Sequence, residues 1–173
     1  MNGSDFQDRS NGSDQDSDSV YVTNYPDIVT HAQYCYRNFP TTVNNIPKES
    51  KSYSNKIENY SAIDNRLAAS QTDIGESSNL AAICLSYGYT HQDQKYWDYA
   101  CILAVIAQAA IDSTKRQYIV DIPREIKRIK KEMDIKTQGY PTFWRCIRPE
   151  FQGQINKELK CPMNEVSRFR LSR

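Results

Sequence analysis

The sequence has no Cys-x-x-Cys pair among its five cysteines (Cys35, Cys84, Cys101, Cys146 and Cys161), only two histidines (His31 and His91), and no apolar run longer than residues 99–107. Each scarcity excludes something. Without paired thiols there is neither a zinc spacing nor a disulfide framework, and the odd count reads as reduced thiols in a cytoplasmic protein. The two isolated histidines read as structural or exposed groups. The apolar run is too short to span a bilayer, and the polar, acidic N-terminus is no signal peptide, so a soluble chain with no membrane partner is expected. Strand chemistry is scarce too. Residues 19–23, Ser-Val-Tyr-Val-Thr, are the one clear strand pattern, and a lone strand cannot satisfy its own backbone groups.

What is present is a chain of 173 residues, 39% apolar and 25% charged, enough for one ordinary domain with a core. The net charge of +1 hides a segregation. Residues 1–18 hold five acids against one base, residues 115–136 eight bases against four acids, and residues 145–173 seven bases against three acids. An acidic head and a basic tail are compatible with metal-plus-polyanion chemistry, and equally with ordinary solvated faces.

The fold class expected is mainly α: a short N-terminal loop and strand followed by a helical region. Four segments are anticipated, 1–24 (acidic loop and strand), 25–53 (helix and connector), 54–136 (helical) and 137–173 (mixed and basic). Pro26 suits the first turn of a helix to about Asn38, with Ile28, Val29, Ala32 and Cys35 or Tyr36 on one face. From about Ser54, Ile57, Tyr60, Ile63, Leu67 and Ala68 recur at helical spacing. Gly75 reads as an interruption, and a second helix over 79–87 reads as ending at Gly88. Residues 95–115 read as a helix whose middle, Tyr99 to Ile111, is apolar on every side except Gln108, which predicts a helix buried all round. Pro123 opens a further helix whose Ile122, Ile126, Ile129 and Met133 lie opposite a dense Lys/Arg face. Tyr140, Phe143 and Trp144 read as core.

The acidic head carries the sharpest chemistry. Asp14, Asp16 and Asp18 stand at alternate positions, and like charges so close destabilise one another unless a cation sits between them. A solvated loop is the plain reading. A calcium loop of the EF-hand kind fits at its first, third and fifth positions, but the sixth is Ser19 rather than glycine and the twelfth Tyr25 rather than glutamate. A phosphatase-type D-x-D needs a preceding buried strand, which residues 9–13 do not supply.

A third reading rests on the order of motifs. GSDQDSDSVYV (12–22) resembles the G-S-D-x-D-G-D-x-[YF]-x-V loop of the RNA-silencing (RNA-dependent) RNA polymerases and the loop of related single-chain RNA polymerases of bacteriophages, with Ser17 where the family has glycine. SSNLAAICLSY (77–87) resembles the family's N-L-G-x-I-A helix. LAVIAQAAIDSTKR (103–116) supplies Leu103, Ala104, Ala110, Ile111, Asp112 and Lys115 in register with its next helix. Tyr140-Pro141-Thr142-Phe143 matches its Y-P-x-F segment. The likeness spans about three-quarters of the chain.

The resemblance implies that residues 1–24 are the catalytic loop and strand of an incomplete double-psi β-barrel. It implies nucleotidyl transfer at a Mg2+ site held by Asp14, Asp16 and Asp18, with nucleoside triphosphates, a nucleic-acid template and nascent RNA as partners. Lys115, Lys127, Lys130 and Lys131 are candidate nucleic-acid or nucleotide contacts. The alternatives are an Asp112–Lys115 ion pair one helical turn apart and a solvated helix face at 124–136. Asn79 reads as a capping or packing amide. Arg145 and Arg148 join the basic face as phosphate-tracking candidates. A polymerase fragment or subunit is expected to be inactive without the missing N-terminal portion or a partner subunit. A phage-type DNA-directed enzyme comes first, an RNA-dependent one second. The rival is a non-enzymatic helical nucleic-acid-binding module with a disordered acidic arm.

Overall fold

A computed structural model of the chain describes residues 19–39, 41–113 and 116–161. The chain divides into two compact units, 1–45 and 46–173, and the described residues are mainly helical, with no sheet and two isolated β-bridges. No helix among them is long and apolar enough to cross a membrane.

In the first unit, residues 19–25 form no strand. The strand expected at 19–23 is absent from the described residues because nothing pairs with it, and Val20, Tyr21 and Val22 stay exposed. Helix α1 (Pro26–Asn38) runs where the sequence places it. Proline sits in its first turn, Asp27 at its positive end and Arg37 at its negative end. None of its residues is buried within the unit.

The second unit is built on a helical hairpin. Helix α2 (Ile57–His91) is one continuous element of 35 residues, about 52 Å long. Gly75 does not interrupt it. A single glycine costs a helix about 1 kcal/mol, which this length absorbs, and Gly75 faces open space. Nor does Gly88 end it. The stop is Gln92, whose left-handed backbone (φ 55°) lets its N–H bond to the Gly88 carbonyl. Asp93 then caps α3 (Gln94–Asp112) by accepting from the Lys95 N–H at 3.1 Å.

Gly88 is buried and lies against Trp97, whose ring would come within 2.8 Å of any added Cβ. The small residue lets the two helices close at their turn. Gly88→Ala is expected to lower the melting temperature by a few degrees, because overpacking costs about 1–3 kcal/mol and the gain in helix propensity returns about 1. Adding Trp97→Leu should recover most of the loss, a rescue that thermal melts of the single and double variants would show.

Because α3 is shorter than α2, the start of α2 projects past it, which leaves Ile57 and Tyr60 of the expected stripe exposed. Helix α3 is not buried all round either. Leu103, Ile106, Ala109 and Ala110 are buried, while Ile102 and Ile111 are exposed, since the packed neighbours cover one side only. Helix α4 (Ile122–Glu132), capped by Asp121 onto the Arg124 N–H, sets Ile126 and Ile129 into the hairpin core. Short helices α5 (Ile135–Gln138) and α6 (Trp144–Ile147) and a 3-10 turn (Pro149–Gln154) close the unit.

The core joins Leu80, Ile83, Cys84, Tyr87, Leu103, Ile106, Ile126, Ile129, Met133 and Leu159. Cys84 Sγ lies 3.2 Å from Met133 Sδ, and burial pushes its thiol from 9.0 up to about 12. Burial also raises the Tyr87 phenol. The unfolded thiol ionises near its ordinary value, so the stability tied to the neutral buried thiol is whole below pH 9 and is lost as pH rises toward 12. The urea midpoint is expected to fall across that interval. Cys84→Ser, with no thiol to titrate at that position, should fall less steeply, the remainder shared by Tyr87 and the other groups whose ionisation folding opposes, Tyr99, Cys101 and Tyr118.

Candidate functional site

Asp14, Asp16, Asp18 and Lys115 lie outside the described residues. Asp112, the lysine's neighbour in the motif, accepts a hydrogen bond from the Tyr118 hydroxyl at 2.7 Å. Among the described residues no cluster of three or more His, Cys, Asp or Glu side chains could hold a metal ion.

The three other motifs lie apart in sequence and meet in one core. Leu80, Ile83, Cys84 and Tyr87 come from the first, Leu103 and Ile106 from the second, and Tyr140 and Phe143 of the third pack against them. Asn79 stands in the interior of α2, so it caps nothing. Its side-chain amide is half-buried, beside an open cleft of roughly 770 Å³.

That cleft is where the basic helix face leads. Lys127, Lys130 and Lys131 share its wall, since three- and four-residue spacing sets them on one side of α4 while Ile126 and Ile129 take the other. Lys136 and Arg148 line it as well, against Glu76, Asp134 and Glu150. Its floor is apolar, from Leu80 and Ile83 of α2 to Tyr140, Trp144 and Phe151. Arg145, also on the expected basic surface, is exposed but lies away from the cleft.

Pairing decides which of these charges are free. Lys130 Nζ bonds Glu76 at 2.8 Å, tying α4 to α2, and Arg148 reaches Glu150 at 3.4 Å. The acids of α4 are engaged elsewhere. Arg128 contacts Glu125 at 2.9 Å and Glu132 at 3.0 Å. Glu132 also accepts from the Tyr99 hydroxyl at 2.6 Å, a bond that holds its carboxyl below the ordinary range. Lys127, Lys131 and Lys136 have no ion-pair partner among the described residues. The cleft therefore presents three ammonium groups without an ion-pair partner, against the single unpaired acid Asp134, over an aromatic floor.

The floor is ordered by stacking. Tyr140 lies nearly parallel to Trp144, centroids 5.3 Å apart at 14°, and Phe151 stands 5.1 Å from Tyr140. Trp144 is buried, and its indole Nε1 has no hydrogen-bond partner. The expectation that Tyr140, Phe143 and Trp144 are core holds, and two of the three also face the cleft. Lys136 falls within the expected 124–136 face without being singled out there, and Phe151 carries no expectation at all. The chain turns left-handed at Asp134 (φ 48°), which resets the helical register before Lys136, and a lone Phe151 in a mixed segment carries no periodic signal. No protein-family model, no curated protein and no solved structure matches the chain.

Proposed function

We propose that the chain carries the magnesium-binding aspartate loop and the following helical region of a two-barrel RNA polymerase, of the phage-type DNA-directed kind. The observation that carries the reading is the ordered run of motifs from GSDQDSDSVYV to Tyr140-Pro141-Thr142-Phe143. Support comes also from the packing of the three later motifs against one core.

The donor set suits magnesium, a hard ion that takes carboxylate oxygens and keeps positions for water and phosphate. Asp14, Asp16 and Asp18 would hold it. An ion held by them would lower the pKa of the RNA 3′-hydroxyl, and a second, arriving with the nucleotide, would stabilise charge on the leaving pyrophosphate. The hydroxyl would give its proton to solvent and its oxygen would bond to the α-phosphorus of the incoming nucleoside triphosphate as the α–β bridging bond breaks and pyrophosphate departs. In a two-barrel centre a second, basic barrel receives the triphosphate, and the reading assigns that barrel to a partner subunit or to an adjoining portion of polypeptide.

The test is primer extension on DNA and on RNA templates with four nucleoside triphosphates and Mg2+. It compares the chain alone with the chain completed by the polypeptide encoded upstream of it. Extension only in the completed sample, and only with a divalent cation, is expected. A rival reading, a nucleic-acid-binding module without chemistry, draws on the basic cleft. It requires that the completed sample never extend a primer and that nucleic-acid affinity survive deletion of residues 1–18.

A further inference from the structure

We propose that the cleft between α2, α4 and residues 135–151 is a binding site for a nucleotide unit, its phosphate on Lys127, Lys131 and Lys136 and its base against the aromatic floor. This goes beyond the aspartate loop, and it stands or falls without it.

Charge complementarity gives the first half of the argument. Of the five bases that line the cleft, Lys130 and Arg148 are taken by Glu76 and Glu150. That leaves three free ammonium groups against one free acid, Asp134. Such an excess over a concave surface favours an anion, and a phosphate is the anion that several convergent lysines hold as point charges. The floor gives the second half. Trp144, Tyr140 and Phe151 form an ordered series of rings, and a planar heterocycle extends such a series at a gain of about 1–3 kcal/mol per base in single-strand binders. An acidic peptide would match the lysines but bring nothing planar for the rings.

One polar group at the same cleft lacks a partner. The Asn79 side-chain amide makes no hydrogen bond among the described residues, and a free amide there can read a base edge. The cleft is also of the size class that takes a small ligand. A free nucleotide and one residue of an RNA strand offer the same chemistry.

The experiment uses the full chain in EDTA, so that metal at the aspartate loop plays no part. Fluorescence anisotropy follows a labelled decauridine, with ATP and a poly-glutamate peptide of similar charge as competitors. Binding is expected, with the triple variant K127A/K131A/K136A weakened at least about tenfold and its salt slope reduced by about 2, near 0.7 per lost phosphate contact. The triple Lys→Arg variant should restore affinity, and circular dichroism melts would show both variants folded. Displacement by ATP places a free nucleotide in the cleft; decauridine binding without ATP displacement, still lost in the alanine variant, assigns it to a strand. The proposal is overturned if neither probe binds, if the alanine variant binds decauridine as the parent does, or if poly-glutamate displaces decauridine.

Discussion

On the proposed polymerase reading, alanine in place of any one of Asp14, Asp16 and Asp18 is expected to cut nucleotide addition by the completed assembly at least about a thousandfold, close to 4 kcal/mol of transition-state stabilisation. Three carboxylates at alternate positions repel one another, and only a bound cation offsets that repulsion. Removing one therefore relieves the empty loop while weakening its hold on metal. The variants should melt no lower than the parent without metal. Asparagine keeps the shape but not the charge, so it should fail nearly as badly. Mn2+ titrations followed by electron paramagnetic resonance report the site independently of turnover: the parent should bind with clearly higher affinity than each variant. Equal Mn2+ binding by parent and variants would sink the assignment whatever the extension assay gave.

The helices were legible where a local signal fixes an end and a stripe fixes a face. Pro26 opens α1 as read, and Pro123, with Ile122, Ile126, Ile129 and Met133 on one side, marks α4. The failures share a cause. Gly88 carries the mark of a helix stop, yet its small size serves Trp97 across the hairpin, and a contact with a residue of the next helix leaves no trace in local sequence. The real stop, Gln92, is not a residue type that announces a left-handed turn. Apolar content over 95–115 foretold burial but not how many neighbours would arrive, so Ile102 and Ile111 remain exposed. An extended pattern at 19–23 encodes a preference for pairing, and a partner strand is a tertiary fact.

The same division runs through the cleft. Lys127, Lys130 and Lys131 were readable as one face because helical spacing alone aligns them. Which of them is free was not readable, since that depends on Glu76, fifty-four positions from Lys130 in the chain, and on Arg128 holding Glu125 and Glu132. The aromatic residues could be placed inside, but stacking order and the bare indole N–H emerge only once Tyr140, Trp144 and Phe151 are folded together.

Gly139→Ala is expected to damage the second unit severely, lowering the melting temperature by about 10 °C or more. Gly139 adopts φ 79° and ψ −179°, a region that residues with a Cβ enter only at about 1–3 kcal/mol. An added Cβ would also lie 2.8 Å from the Gln154 carbonyl oxygen and 3.0 Å from the Asn156 Cβ, overpacking worth a further 1–3 kcal/mol or so. For a unit of this size each kcal/mol moves the midpoint by about 3–5 °C. The damage spreads because three connections cross at this residue. Its N–H closes α5 on the Ile135 carbonyl, its own carbonyl accepts from the buried Tyr87 hydroxyl at 2.6 Å, and the next residue is bridged to Ile155. Tyr87→Phe separates strain from hydrogen bonding. Alone it should cost about 1–2 kcal/mol, the penalty for a carbonyl left buried without its donor. In the Gly139→Ala background it should cost less, because the displaced carbonyl no longer meets the phenol. Additive losses in that cycle would mean that the backbone at residue 139 keeps its place, and a Gly139→Ala chain melting within 2 °C or so of the parent would show that the turn yields without strain.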